Sequence, residues 1–172
     1  MATISLCMIV KNEEEVLGRC LDSAAGLVDE VVIVDTGSTD GTKGVALTYT
    51  DRVYDFPWTD DFAAARNFAF SKGRMDYLMW LDADDVLLPE DRAAFLTLKD
   101  SLEPDVDVVM MPYHSGLDGE GRPTYTCFRE RVVRNLGRDL WEGAVHEAIS
   151  PFGRVIWSQA AVTHRKEGPG DP

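Results

Sequence analysis

The chain has 172 residues, enough for one domain with a good core, and its 45% apolar and 27% charged content is ordinary for a soluble globular protein. A formal net charge of −13 argues against binding nucleic acid through a general positive field, so a polyanion is accepted only at a local basic spot or through a metal. No apolar run approaches a membrane span, Met1 to Val10 is too short and lacks the basic start of a signal peptide, and the scattered Cys7, Cys20 and Cys127 read as buried thiols in a reducing cytoplasm.

Thr3 to Val10 is apolar and β-branched, a first buried strand. Asn12 with Glu15 has capping-box spacing, and Val16, Leu17, Cys20, Leu21, Ala24 and Leu27 then recur at helical spacing up to a stop at Gly26. Glu30 to Val34 is a second strand, ending in the loop Asp35-Thr-Gly-Ser-Thr-Asp-Gly-Thr42, which reads either as a turn with an N-cap or as part of a nucleotide pocket. A short helix through Val45 to Tyr49 and a strand from Arg52 to Phe56 follow. Asp60 or Asp61 caps the next helix, which carries Arg66 and Asn67 about one turn in and ends at Gly73.

Tyr77 to Leu81 is a short apolar run without polar alternation, the mark of a parallel strand covered on both faces. It runs straight into Asp82, Asp84 and Asp85, at the carboxyl end where open α/β sheets bind ligands. Carboxylates packed together repel unless a cation or a donor holds them. Pro89 then starts a helix to about Leu102. The βαβαβαβα order predicts an α/β fold with a mostly parallel central sheet and flanking helices. Beyond it the pattern turns mixed. Val106 to Met111 is a strand, Gly116 to Gly121 a turn, and Tyr125 to Val133 a strand that pairs antiparallel. Asp139 to Glu147 has no clear period, and Arg154 to Trp157 and Ala161 to His164 are short strands. This smaller second half is expected to shape the far side of a pocket, with Arg129, Arg131 and Arg134 read either as phosphate holders or as solvated strand residues.

With Asp35, Asp82 and Asp84 gathered at one sheet edge, the chemistry fits a metal-diphosphate site, since magnesium or manganese takes one or two carboxylates plus phosphate oxygens. Such an ion would stabilise a departing diphosphate. There is no G-x-G-x-x-G after the first strand and no G-x-x-x-x-G-K-[ST], so neither dinucleotide binding nor P-loop chemistry is supported.

Five stretches in order resemble the family 2 glycosyltransferases, which have a Rossmann-like GT-A fold: Cys7-Met-Ile-Val-Lys-Asn-Glu13, Val34-Asp-Thr-Gly-Ser-Thr-Asp-Gly-Thr42, Asp61-Phe-Ala-Ala-Ala-Arg-Asn67, Trp80-Leu-Asp-Ala-Asp-Asp85 and Trp141-Glu-Gly-Ala-Val-His-Glu147. The subgroup looks bacterial and often carries helical repeats after the catalytic part. The resemblance implies one domain over 1–165, with a nucleotide-sugar-binding half (1–104), an acceptor half (105–165) and a tail (166–172). It implies a cytoplasmic, inverting transferase that takes a nucleotide-sugar donor, most readily a UDP-sugar, and an unknown glycan, lipid or protein acceptor. Val10, Asn12, Glu13, Asp35, Gly37, Arg66, Asp82 and Ala83 would contact the donor. Asp84 and His164 would hold the divalent metal ion. Glu147 is the candidate general base, with Asp85 and His146 as competitors. Where many relatives have paired acids this chain has Asp35-Thr36, which leaves the base of the donor open.

Other readings stay in view. Asp82-x-Asp84-x-Val86 after a strand also resembles the nucleophile motif of haloacid-dehalogenase-type phosphatases, but no acid pair ends a strand after Val106. A nucleotidyltransferase would want a basic Gly-rich loop where Lys11-Asn-Glu-Glu-Glu15 is acidic. A nucleotide- or sugar-binding domain without turnover is the non-enzymatic alternative.

Overall fold

A computed structural model describes residues 1–165, so the expected tail over 166–172 lies outside the described residues. Strands β1 (Ile4–Val10), β2 (Glu30–Asp35), β3 (Val53–Asp55) and β4 (Tyr77–Met79) alternate with helices α1 (Leu17–Ala24), α2 (Thr42–Leu47) and α3 (Phe62–Ser71). After them come β5 (Asp85–Val86), α4 (Pro89–Ser101), β6 (Val108–Leu117), β7 (Pro123–Arg134), β8 (Trp141–Glu142), β9 (Ala148–Ile149), β10 (Val155–Trp157) and β11 (Val162–His164).

The main sheet runs β3-β2-β1-β4-β7-β6-β11-β5, with β10 also on β6. Its first four strands are parallel, as the βαβ order predicts. β7 then lies antiparallel to both β4 and β6, and the mixed second half is continuous with the first rather than a separate layer. The apolar β1 run is explained by burial on both faces. Ile4, Leu6, Met8 and Val10 pack in one core with α1 and α4, while Cys7 packs on the opposite side with Ala69 and Phe70 of α3. Cys7 and Cys20 are free and buried as expected, and burial pushes both thiols well above their usual range, whereas Cys127, also free, is only half-buried on β7.

One local expectation changes and two open ones are resolved. The capping box at Asn12 and Glu15 does not form: α1 begins only at Leu17, after Val16 with no side-chain cap. Asn12 instead takes a left-handed φ of 53°, and its Oδ1 accepts from Thr39 N–H at 2.8 Å, a clip between two loops that outcompetes capping. Of the two candidate caps of α3, Asp61 does the work, accepting from Ala64 N–H at 3.1 Å. The unpatterned stretch after Asp139 is a small hairpin, β8 on β9. It is tied to α3 by Asn67, which accepts from the Leu140 and Trp141 N–H groups and donates to Trp141 O.

Candidate active site

The Asp82–Asp85 turn closes the end of β4. Asp85 N–H donates to Asp82 O, and Asp82 N–H donates to Asp85 Oδ2, each at 2.9 Å. β5 then pairs antiparallel with β11, with Asp85 opposite His164 in register, and Arg165 N–H donates to Asp84 O at 2.8 Å. This short ladder brings His164 Nδ1 to 3.5 Å from Asp84 Oδ1 and 3.7 Å from Asp85 Oδ1. Adjacent ligands at ~2.1 Å on an octahedral ion lie roughly 3 Å apart, so two carboxylates and an imidazole at this spacing fit a divalent cation after a small adjustment. The three residues form a possible metal-holding group. Burial raises the Asp84 carboxyl, and Asp85 and Asp82 push it the same way against the pull of His164. Glu13 is raised by burial and then by Asp84, Asp82 and Asp40. Excess negative charge of this kind favours a bound cation.

Asp85 is placed differently from a proton acceptor. It is fully buried, its Oδ1 accepts from Tyr113 O–H at 3.0 Å, and its Oδ2 accepts from Arg131 Nη1 at 3.2 Å besides Asp82 N–H. Arg131 is fully buried as well and stacks between Trp80 and Tyr113, with its guanidinium carbon 3.9 Å and 4.6 Å from the ring centroids. Arg134 is held far from the site, by Asp107 at 2.9 Å and over the Tyr77 ring. Arg131 and Arg134 are therefore structural cations rather than phosphate holders or solvated strand residues, because each is already paired. Arg129 pairs with Glu130 and stacks on Trp80.

Arg66, from the buried face of α3, reaches the centre. Its Nη2 donates to Asp82 Oδ1 at 2.6 Å, its Nε lies 3.4 Å from Glu147 Oε2, and it packs against the Trp80 and Trp141 rings. Burial raises the Asp82 carboxyl, but Arg66 and Arg131 outweigh that and leave it below the usual range. Nη1 of Arg66 is buried without a protein partner, a donor left over for a ligand.

One cavity of about 400 Å3 is lined by Val10, Glu13, Arg66, Asp82, Ala83, Asp84, Glu147 and His164 together with Ile9, Lys11, Thr36, Trp58 and Phe62. Eight of the expected site residues thus meet. Asp35, Asn12 and Gly37, expected to contact the donor, are not among its lining residues: Asp35 Oδ1 accepts from Gly37 and Ser38 N–H and shapes their loop, while its buried Oδ2 has no protein partner. His146 is exposed and outside the lining. Trp58 and Phe62 were not singled out as site residues from sequence; their place beside the Asp61 cap was the signal available.

The family model described as Glycosyl transferase family 2 matches residues 5–156. The chain belongs to glycosyl transferase family 2. It is similar to the lipopolysaccharide core biosynthesis glycosyltransferase LpsC of Rhizobium meliloti, at 33% identity over 169 residues, 88% of this chain and 58% of LpsC. A TPR repeat-containing protein of Synechococcus elongatus is 46% identical over 90 residues, 52% of this chain and 22% of that protein. Its name agrees with the helical repeats expected in the subgroup. The chain therefore spans only part of the length of these curated relatives. Among solved structures, mannosyl-3-phosphoglycerate synthase from Rubrobacter xylanophilus superposes with a TM-score of 0.54 at 25% identity, over 66% of this chain and 41% of that one. S. aureus TarS 1-349 does so with a TM-score of 0.57 at 22% identity, over 77% and 47%, a likeness of fold alone. The curled, mixed sheet is the GT-A architecture expected from the sequence. Among the described residues no helix is long and apolar enough to cross a membrane.

Proposed function

We propose that this chain transfers a sugar, with inversion, from a nucleoside-diphosphate sugar to an acceptor hydroxyl, with a UDP-sugar as the leading donor. The observation that carries this reading is the convergence of Asp82, Asp84, His164, Arg66 and Glu147, from four separate segments, on one cavity at the carboxyl edge of a parallel sheet. A relative of the same fold supports the donor class, since a glucosyl-3-phosphoglycerate synthase from Mycobacterium tuberculosis was solved with Mn2+ and uridine-diphosphate-glucose.

Asp84 and His164 are the residues that would hold a magnesium or manganese ion, which would neutralise the diphosphate as it leaves. Asp82, held by Arg66, would contact the ribose or the ion. Glu147 takes the proton of the acceptor hydroxyl while that oxygen bonds to the anomeric carbon and the bond from this carbon to the diphosphate oxygen breaks. Attack and departure on opposite faces invert the configuration. Asp85 is a positioning residue in this scheme, since its carboxylate already serves Arg131, Tyr113 and the Asp82 N–H.

Calorimetry with UDP, GDP, TDP and CDP, each with and without manganese, tests the donor half. Tight manganese-dependent binding of one nucleotide is expected, and its loss in Asp84→Ala. Failure of all four to bind would sink the donor reading. Glu147→Gln is expected to keep nucleotide affinity and lose transfer; surviving transfer would place the base elsewhere.

A further inference from the structure

The lining of the donor cavity has two chemically different parts. Across the carboxyl edge the strands follow the order β3, β2, β1, β4. Carboxylates crowd the β4 end, where Asp82 and Asp84 meet His164. Another part of the lining is apolar and aromatic: Ile9 and Val10 of β1, Trp58 in the loop after β3, and Phe62 at the first position of α3.

The aromatic end is built rather than incidental. Trp58 and Phe62 stand edge to face, with centroids 4.7 Å apart and planes at 68°. Trp58 Nε1–H donates to Asp60 Oδ1 at 3.0 Å, and Asp60 holds a left-handed φ of 60° to make that reach. Phe62 N–H donates to Ala144 O at 2.8 Å, so the pair is pinned to the loop that carries Glu147 as well. Phe62 lies one helical turn before Arg66 and therefore on the same face of α3, above the arginine at the mouth. Phe62 keeps 38% of its surface exposed although it lines a cavity. Thr36 also lines the cavity, a neutral side chain whose hydroxyl donates to Val10 O at 3.3 Å.

We infer that Trp58, backed by Phe62, is the platform on which the nucleobase of the donor stacks. This rests on the donor reading above. An anionic diphosphate drawn to the cation leaves the flat, weakly polar base to the apolar part of the lining, and a ring face is the surface that suits it. Stacking tolerates any base because each has a π-face. With a threonine at position 36 in place of a carboxylate that could read a ring N–H, affinity comes from the platform more than from hydrogen bonds to the base edge. Uridine and thymidine diphosphates are then bound with similar affinity.

The test is calorimetric titration of UDP and TDP, with manganese, into the parent chain, Trp58→Ala, Trp58→Phe and Phe62→Ala. Manganese binding alone is followed by electron paramagnetic resonance. The expected result is a roughly five- to hundredfold loss of both nucleotides in Trp58→Ala. Trp58→Phe should retain most of the affinity, Phe62→Ala should lose less than Trp58→Ala, and metal binding should be unchanged. Stacking should also quench tryptophan fluorescence in the parent and much less in Trp58→Phe. Should Trp58→Ala not fold, Trp58→Phe and Phe62→Ala still decide through quenching and affinity. A parent that binds nucleotides while all three variants bind equally well overturns the platform and leaves the donor reading standing. Unchanged UDP affinity with impaired transfer overturns it too, since Trp58 would then face the sugar or the acceptor. A parent that binds no nucleotide overturns both.

Discussion

Asp85→Ala separates an anchor from a catalyst. In the folded chain the Asp85 and Arg131 side chains are both 0% exposed, and Arg131 Nη1 donates to Asp85 Oδ2 at 3.2 Å. The remaining support of the guanidinium is Trp80 O at 3.4 Å and two aromatic faces, and its Nε and Nη2 have no protein partner. Truncating Asp85 leaves a buried cation without its counter-charge, a loss of about 3–5 kcal/mol. The Tyr113 hydroxyl and the Asp82 N–H lose their acceptor at the same time, which keeps the figure toward the upper end. For a chain of this size each kcal/mol moves the melting temperature by about 2–4 °C, so the variant should melt roughly 6–20 °C lower. Urea unfolding followed by tryptophan fluorescence gives the free energy directly. Arg131→Met in the same background should recover part of the loss, because it removes the orphaned charge, and the double-mutant cycle should show coupling well beyond 1 kcal/mol. A variant within about 1 kcal/mol of the parent, or strictly additive single effects, would refute the anchor. A stable variant that binds donor and fails only in transfer would return Asp85 to the chemistry.

Two further outcomes follow from the geometry. Gly143 sits at φ 100°, and a Cβ there would lie 2.8 Å from His146 O, so Gly143→Ala should displace the loop bearing Glu147; steady-state kinetics should show turnover falling more than tenfold. Glu30 is buried, which raises its carboxyl, but bonds from Arg74 and Ser5 and the charge of Arg52 outweigh this and leave it lowered. A lowered folded value means stability that is full above the unfolded value near 4.5 and is lost as pH falls through the folded one. The stability gap between the parent and Glu30→Gln, measured by urea unfolding, should therefore be full at about pH 6 and shrink below about pH 4.

The local pattern along the chain was enough for the parallel half of the fold. Uninterrupted apolar runs at β1 and β4 can only be covered on both faces, and helical spacing between them leaves a doubly wound sheet as the arrangement that buries everything. The carboxylates at the strand ends announced a ligand site for the same reason, since a strand followed directly by Asp82, Asp84 and Asp85 has nowhere else to put them. Tertiary structure alone decided which of these acids does what. Asp84 faces the cavity, whereas Asp85 faces inward because the turn bonds to its carboxylate and a buried arginine from β7 arrives beside it. No period or spacing encodes that meeting. His164 stands opposite Asp85, and so beside Asp84, through a two-residue antiparallel ladder between β5 and β11, and pairings that short depend on register between distant segments rather than on propensity. Asn12 shows the same limit in reverse: a local capping signal gave way to a hydrogen bond from Thr39, a residue brought near only when β1 and β2 pair.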